Sequence, residues 1–268
     1  MTTSIKPDFL IRETDAEYRE KAKALLTSHQ LADFRRTPLL FRKKELGLIP
    51  DEDRPAYLIG RAAHALILEG VEKFDAEHAV GGPVNEKTGK PYGPQTKAYA
   101  DWAAAIGKAV LTDGQYRLIT SMAASVDAHP IALDLLANGT PEGVVRAEYC
   151  GIPCQGRLDF FDAERGIIDL KTCDDLTWFE ADARRFSYVH QFAFYHALVM
   201  QATGWNAPVH VIAVEKKEPF RCGVWLIHDQ ALAVARTDNE AAMERLKQCR
   251  LSGVWPTLYE ERRVLDYV

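Results

Sequence analysis

Two apolar segments that carry acidic residues constrain this chain more than any other feature. Residues 156–161 and 167–172 are rich in Ile, Leu and Phe, and the polar segment between them ends in glycine. Apolar runs joined in this way are typical of a β-hairpin. Asp159 lies in the first predicted strand. Asp169 and Lys171 lie two positions apart in the second strand, so their side chains share a face.

Charged side chains inside an apolar strand cost free energy unless they are paired or bind a metal. A buried salt bridge explains Lys171 and one of the two carboxylates. It leaves the other carboxylate without a partner, so the hairpin favours a functional site over a purely structural ion pair.

Two predicted helices carry further polar residues. Residues 55–70 begin with proline and end with glycine, which predicts a helix on which His64 shares a stripe with apolar side chains. A single histidine on such a helix is more often a core residue than a ligand. Residues 188–203 predict another helix, and Gln191 and Tyr195 lie four positions apart on one of its faces.

The spacing of the hairpin acids resembles the PD-(D/E)XK nuclease superfamily. Asp159 resembles its first acid, and Asp169-Leu170-Lys171 resembles its D-X-K element. Leu158 stands where the superfamily name has proline.

The two helices extend this resemblance. Residues 60–66 resemble the histidine helix of RecB- and RecE-type nucleases, and Gln191-xxx-Tyr195 resembles the fourth motif of the RecB family. The whole pattern is most similar to the C-terminal nuclease domain of RecE, exonuclease VIII, and to its phage relatives.

The resemblance implies an α/β (α+β) fold: a mixed central β-sheet flanked by helices, with a restriction-endonuclease-like core and an N-terminal helical elaboration. A length of 268 residues fits one such domain. Within the single nuclease domain 1–268 we expect a mainly helical part (1–140), a catalytic sheet with the Gln-xxx-Tyr helix (141–228), and a C-terminal helix and tail (229–268).

The resemblance also implies the site residues. The catalytic residues are Lys171, Asp159, Asp169, His64, Gln191 and Tyr195. The metal ligands are Asp159, Asp169, the backbone carbonyl of Leu170 and His64, with Glu148 as a further candidate. Glu148 has an alternative role as a cross-strand partner of Arg157.

Each implied residue has an expected role. Lys171 is expected to orient the attacking water and to stabilise negative charge, while Gln191 and Tyr195 position the phosphate or the water. Carboxylate and carbonyl oxygens favour Mg²⁺, for which we expect Mn²⁺ to substitute.

Basic residues provide candidate DNA contacts. For those between residues 35 and 44 a solvated basic face is an equal alternative, whereas for Lys90 a flexible surface loop is the favoured interpretation. These candidates are Arg35, Arg36, Arg42, Lys43, Lys44, Arg61 and Lys90. The net charge of −5 argues against a protein that coats nucleic acid indiscriminately, but it is compatible with a nuclease whose basic residues line one groove.

Five cysteines without a CxxC pair predict reduced thiols. A CRISPR-associated iron–sulfur nuclease needs a cysteine cluster split between the two ends of the chain, and only Cys249 lies near either end. We therefore expect no iron–sulfur cluster. The sequence has no apolar run of transmembrane length and no signal-peptide segment at its N-terminus, which predicts a cytoplasmic protein. The resemblance implies a bacterial or phage origin.

The function implied by the resemblance is that of a Mg²⁺-dependent DNA exonuclease. It is expected to act on double-stranded ends and to leave a single-stranded, 3′ tail for an annealing protein. The same resemblance implies a ring-like homo-oligomer, either a trimer or a tetramer, and no membrane partner. The alternative is a catalytically silent or structure-specific DNA-binding or endonuclease accessory of phage recombination or repair. The intact acidic and basic residues weigh against a silent protein.

Overall fold

A computed structural model describes residues 7–50 and 55–265 of the chain. The described residues before the main sheet are mostly helical. Their helices are α1 (Asp15–Lys21), α2 (Ser28–Arg36), α3 (Pro38–Glu45), α4 (Pro55–His64), α5 (Val71–Glu77), α6 (Lys97–Ile106), α7 (Asp113–Asp127) and α8 (Pro130–Leu135). A small parallel pair, β1 (His78–Val80) and β2 (Ala109–Leu111), interrupts them.

Threonine side chains begin several of these helices. Thr14, Thr27 and Thr112 each accept a hydrogen bond from the third helical residue, whose Glu or Gln side chain bonds back to the threonine backbone. Such reciprocal caps satisfy backbone N–H groups that a helix start otherwise leaves unpaired.

The helix predicted over residues 55–70 changes geometry part-way. It is α-helical to His64 and continues as a π-helical turn over Ala65–Glu69, ending at Gly70 with φ of 90°. Single π turns are rare and often occur at functional sites. Here the change of helix geometry begins directly after the histidine.

The remaining elements form the sheet and the helices that cover it. They are β3 (Thr140–Tyr149), β4 (Ile152–Asp162), β5 (Gly166–Cys173), α9 (Phe179–Arg185), α10 (Tyr188–Thr203), β6 (Val209–Glu215), β7 (Cys222–Leu226) and α11 (Asp229–Ser252). The strand order is β3-β4-β5-β6-β7, and only the β5–β6 pair is parallel. The predicted mixed sheet flanked by helices is therefore confirmed.

Two apolar cores lie on opposite faces of the sheet. Along β6, Val209, Val211 and Ala213 belong to the first core, and Ile212 and Val214 to the second. This alternation is expected because successive strand side chains point to opposite faces. Helices α2, α10 and α11 supply the first core, whereas α4, α7 and α8 supply the second.

The predicted hairpin is present as β4 and β5. Asp162 closes its turn, because Asp162 Oδ1 accepts hydrogen bonds from the backbone N–H of Glu164 at 2.7 Å and of Arg165 at 2.8 Å. The strands pair only where Phe160–Asp162 face Gly166–Ile168. Beyond that point, next to Asp159, their ladder ends.

None of the described helices is both long enough and apolar enough to span a membrane.

Candidate metal centre and active site

The Asp159 carboxylate occupies the position where the β4–β5 ladder ends. Asp159 Oδ2 accepts a hydrogen bond from the backbone N–H of Leu170 at 2.9 Å, in place of a strand-to-strand bond. The same oxygen lies 3.6 Å from His64 Nδ1. Leu158 and Phe161 join the first core whereas Phe160 joins the second, so the regular alternation of β4 is interrupted at Asp159.

Three potential metal ligands converge at this point. One ligand atom each of His64, Glu142 and Asp159 lies within 4.8 Å of the other two. They come from α4, β3 and β4, so the fold assembles the cluster from distant parts of the sequence. An imidazole nitrogen with carboxylate oxygens is a donor set that suits a divalent cation.

Glu142 reaches the cluster through the register of β3 against β4. The ladder pairs Pro141 with Phe160 and Gly143 with Leu158, so Glu142 lies across from Asp159. Its backbone has a φ of 52°, in the left-handed region that non-glycine residues rarely adopt. Burial and the neighbouring Asp159 carboxylate raise the pKa of Glu142 to about 8.

Arg157 holds the Glu142 side chain. Its Nε lies 2.9 Å from Glu142 Oε2, and its Nη1 contacts Asp15 Oδ1 of α1. The guanidinium also lies 5.0 Å from the centroid of the Tyr18 ring. Helix α1 thus holds Arg157 in place, and Arg157 in turn holds Glu142 in the cluster.

Asp169 is the second acid of the hairpin and is almost completely buried, at 1% exposure. Lys171 Nζ makes a close ion pair with Asp169 Oδ2. Even so, neither Asp169 oxygen accepts a well-formed hydrogen bond from the described residues. Burial and the repulsion of Asp159 raise the pKa of the Asp169 carboxyl to about 7, although Lys171 opposes the change.

Lys171 points towards α10, on the side of the first core. Its Nζ lies 5.2 Å from the centroid of the Tyr188 ring and 5.6 Å from that of Phe192. Burial lowers the pKa of Lys171, but the Asp169 and Asp159 carboxylates outweigh burial and raise it overall. The side chain is therefore an ammonium group at neutral pH.

Helix α10 supplies a tyrosine hydroxyl to the same region. Gln191 Nε2 donates to the Tyr195 hydroxyl at 2.9 Å, and Ser28 Oγ donates to it at 3.4 Å. Burial, together with the nearby Asp159 and Asp169, raises the pKa of Tyr195. Because two donors already point at its oxygen, the Tyr195 hydroxyl keeps its own proton available for donation.

Tyr195 packs against bare backbone of β4. A Cβ added at Gly156 would lie 2.8 Å from Tyr195 Cδ1 and 3.0 Å from its Cε1. Only glycine at this position lets the aromatic ring lie so close to the strand that carries Asp159.

His64 is suited to act as a neutral ligand. Burial lowers the pKa of its imidazole, and the opposing effects of Asp159 and of the Leu170 backbone are smaller. Neutral imidazole is the form that binds metal ions.

The ligand atoms of His64, Glu142 and Asp159, together with the Asp169 carboxylate, have the chemistry of a cation site. Two carboxylates and an imidazole converge within 4.8 Å, and among the described residues the buried oxygens of Asp169 have the Lys171 ion pair but no well-formed hydrogen bond. Such groups are costly to bury unless a cation neutralises them. The residues present therefore fit a divalent metal ion.

Comparison with known proteins places this chain in a family. The model of a PDDEXK-like domain of unknown function (DUF3799) matches residues 27–265. The chain belongs to this family. The predicted superfamily and its fold are thereby confirmed, whereas the RecE-like branch stays a prediction.

One of the solved structures that match the chain supports the same fold. A protein from Eubacterium rectale described as a "Putative exonuclease" matches at a TM-score of 0.69 and 17% identity, with 96% of each chain covered. LHK-Exo in complex with dAMP matches at a TM-score of 0.32 and 11% identity, with 75% of this chain and 98% of that chain covered. No curated protein matches the sequence.

In this PDDEXK-like chain most of the sequence-predicted residues lie together. His64 contacts Asp159, Asp159 bonds to the Leu170 backbone, and Asp169 contacts Lys171. The charges of Asp159 and Asp169 raise the pKa of the nearby Tyr195, and Gln191 donates a hydrogen bond to the Tyr195 hydroxyl.

Glu148 is the exception, and its expected position beside the metal is wrong. It is exposed and pairs across the hairpin with Pro153. It lies six positions beyond Glu142, roughly 20 Å along an extended strand. Its alternative role is wrong as well, because Arg157 pairs with Glu142 and Asp15.

The candidate DNA-contacting residues Arg35, Arg42 and Lys44 make contacts within the chain. Arg35 Nη1 donates to Asn239 Oδ1 at 2.6 Å, Arg42 Nη1 lies 2.6 Å from Glu45 Oε2, and Lys44 Nζ lies 2.8 Å from Asp33 Oδ2.

The other four are exposed: Arg36, Lys43, Arg61 and Lys90. Arg61 lies on α4 one turn before His64. It is thus the exposed candidate nearest to the cluster along the chain.

Sequence reasoning missed Glu142 and Arg157. A signal for Glu142 was present, because the β3–β4 hairpin turns at Cys150-Gly151 and counting back from this turn pairs Glu142 with Asp159. No comparable signal links Arg157 to Asp15, which precedes it by 142 positions.

Proposed function

We propose that this protein is a divalent-metal-dependent nuclease that hydrolyses phosphodiester bonds of DNA, with Mg²⁺ as the metal and Mn²⁺ as a substitute. The observation that carries the proposal is the convergence of His64, Glu142 and Asp159 beside the buried pair Asp169–Lys171. Membership of the PDDEXK-like family supports it.

His64, Glu142, Asp159 and Asp169 would hold the metal, with the Leu170 carbonyl as a further ligand. When bound, a divalent ion lowers the pKa of water and stabilises charge on phosphate oxygens. The cluster lies at the end of a strand ladder, and the His64 and Asp159 side chains remain 25% and 15% exposed, so a phosphate would have access to them.

The remaining residues act on the substrate directly. Lys171 supplies a fixed positive charge beside Asp169, which orients a water and stabilises the charge that develops on the phosphate. The Tyr195 hydroxyl would donate a hydrogen bond to the phosphate or to the water, and Gln191 holds that hydroxyl in place. Because these groups are already positioned, they need little rearrangement during the reaction.

The proposal extends to an exonuclease that starts at double-stranded ends and leaves a 3′ single-stranded tail for an annealing protein. The resemblance to the RecE nuclease domain supports this. A chain of net charge −5 attracts DNA weakly through diffuse electrostatics, since affinity depends on phosphates neutralised by Lys and Arg. A ring-like homo-oligomer, a trimer or tetramer, would hold the DNA by enclosing it.

One digestion experiment tests the function. Linear duplex, covalently closed circular duplex and single-stranded DNA are incubated with Mg²⁺, with Mn²⁺ or with EDTA, and Asp169→Asn serves as the inactive control. Linear duplex should be degraded only with a metal, and the closed circle should stay intact. Labels on the two strand ends identify which strand is removed, and light scattering gives the oligomeric mass.

Each alternative has its own outcome. Rapid cutting of the closed circle indicates an endonuclease. DNA binding without hydrolysis under any metal condition indicates a catalytically silent accessory. Equal hydrolysis in EDTA, or by Asp169→Asn, would contradict the proposed metal-dependent mechanism.

A further inference from the structure

An aromatic surface extends outwards from Lys171. After β5 the chain forms α9, turns through Ser187 at a φ of 57°, and begins α10 at Tyr188. Phe186, at the end of α9, is 54% exposed. A single exposed phenylalanine is ordinary on a protein surface. The position of this one beside the proposed active site makes it significant.

The Phe186 ring is connected to Lys171 by one intervening ring. Lys171 Nζ lies 5.2 Å from the Tyr188 centroid, and the Tyr188 and Phe186 centroids are 5.8 Å apart with an interplanar angle of 29°. We name this pair, Phe186 and Tyr188, the aromatic ledge. Stacked nucleotides are about 3.4 Å apart along a strand. If a phosphate of a DNA strand contacted Lys171, the exposed Phe186 ring would therefore lie within the length of a few nucleotides of that phosphate.

The aromatic ledge is supported from below. The buried rings of Phe179 and Phe192 lie 6.3 Å and 6.5 Å from the Tyr188 ring. Tyr188 is held between these buried rings and Phe186, so the exposed ring rests on a fixed base. A fixed ring loses little conformational entropy when a flat ligand stacks on it.

The end of α9 next to the aromatic ledge is basic. Helix α9 has its acidic residues in the first turn and its basic residues, Arg184 and Arg185, in the last. The Arg185 guanidinium carbon lies 5.3 Å from the Phe186 centroid. The basic end of the helix is thus the end that carries the exposed ring.

We propose that the aromatic ledge stacks an unpaired base of the DNA strand whose phosphate lies at Lys171, with Arg185 beside the adjoining backbone. The proposal rests on the proposed nuclease function and adds a determinant of substrate choice. Aromatic rings combined with cationic side chains are the usual means by which proteins bind single strands without sequence preference. A base inside a duplex is already stacked, so the ledge favours a frayed or single-stranded terminus.

Binding of fluorescein-labelled oligothymidine tests this in the Asp169→Asn background, where hydrolysis is blocked. Phe186→Leu keeps an apolar side chain but removes the ring, and it should weaken binding about ten-fold. Phe186→Trp should retain the affinity and show quenched tryptophan fluorescence on binding. Leu226→Ala is the matched control, because Leu226 is exposed at 64% on β7 and should not affect binding.

A single abasic nucleotide placed at successive positions makes the test specific for stacking. At one position the missing base should weaken binding to the parent protein about ten-fold and should have no further effect in Phe186→Leu. Unchanged affinity in Phe186→Leu, or the same abasic penalty in both proteins, would overturn the ledge. Melting temperatures verify that each variant is folded.

The two proposals fail in different ways. If the wild type hydrolyses DNA but Phe186→Leu binds as well as the parent, only the ledge is wrong. If the wild type neither hydrolyses DNA nor binds the oligothymidine, the nuclease function and the ledge are both wrong.

Discussion

Asp169 and Glu215 are two buried carboxylates on adjacent parallel strands, and their surroundings are opposite. They are exposed at 1% and 0%. Glu215 accepts hydrogen bonds from the Leu176 N–H at 2.9 Å and from Arg221 Nε at 3.0 Å and Nη2 at 2.6 Å. Asp169 has the Lys171 ion pair but no well-formed hydrogen bond among the described residues.

The pKa values follow this difference. The Arg221 hydrogen bonds lower the pKa of Glu215 to about 2, whereas burial raises that of Asp169 to about 7. Burial alone therefore does not mark a functional acid. Glu215 accepts hydrogen bonds from residues after β5 and after β6, so it holds these two loops together. Asp169 has no such hydrogen bonds among the described residues, so its oxygens can bind a cation. Five predictions test this contrast.

The largest effect is expected for Asp169→Asn. Hydrolysis of linear DNA should fall about a thousand-fold, because the variant removes a charged ligand and the partner of Lys171. The melting temperature should change by only about 3 °C, since the loss of the ion pair is offset by the loss of repulsion with Asp159. Single-turnover assays and calorimetry measure the two quantities. A large loss of stability with normal specific activity would make Asp169 a structural residue.

Metal binding should stabilise the wild type. At a concentration of Mn²⁺ one hundred times the dissociation constant, the gain is about 2.7 kcal/mol, and EDTA should reverse it. Asp169→Asn should show a much smaller gain. Thermal denaturation with and without the metal provides the measurement, and an equal shift in both proteins would place the ion elsewhere.

Glu215→Gln should show the reverse pattern of Asp169→Asn. The amide has a single acceptor oxygen, so its NH₂ group must face N–H donors that the second carboxylate oxygen now accepts from, and stability should fall by about 2 kcal/mol. Specific activity below the melting transition should be retained. Asp174→Asn is the surface control and should change stability by less than about 0.5 kcal/mol. A melting temperature equal to that of the wild type would contradict the stabilising role of Glu215.

Glu142 lies between the two extremes, with one cationic partner and a raised pKa. Glu142→Gln should weaken Mn²⁺ binding about ten-fold, because an amide cannot release a proton and become the anionic ligand that a carboxyl group becomes when it binds a cation. Glu148→Gln should leave binding unchanged. Calorimetric titration of both variants distinguishes the ligand found in the structure from the one predicted by the sequence.

The smallest effect concerns acid. The folded pKa of Glu215 is about 2, below its ordinary value of 4.5. Its contribution to stability is complete above pH 4.5 and is lost as the pH falls towards 2. One carboxylate contributes a slope of at most about 1.4 kcal/mol per pH unit. Denaturant titrations give the free energy of unfolding at each pH. Between pH 5 and pH 2 this free energy should fall more steeply in the wild type than in Glu215→Gln.

Local sequence patterns predicted the hairpin and α10 well. The apolar runs around Asp159 and Asp169 and the helical spacing of Gln191 and Tyr195 depend on neighbouring residues, and the structure has these elements where they were expected. Glu142 was harder, because its place opposite Asp159 depends on where the β3–β4 hairpin turns.

The basic residues of α2 and α3 show a second limit. Their charge suggested DNA contacts, but Arg35, Arg42 and Lys44 bond to Asn239, Glu45 and Asp33. Asn239 lies 204 positions after Arg35, so no local pattern reveals such a partner.

Gly156 sets the distance between the sheet and α10. A side chain there would push the Tyr195 ring away, and Tyr195 belongs to the same rigid helix as Gln191 and Phe192. All three would move together relative to Lys171 and Asp159. Substitutions at Gly156, which has no side chain, would therefore change the position of the site residues that α10 carries. A lineage that accepts a methyl group at residue 156 must rebuild α10 to keep its tyrosine beside the carboxylates.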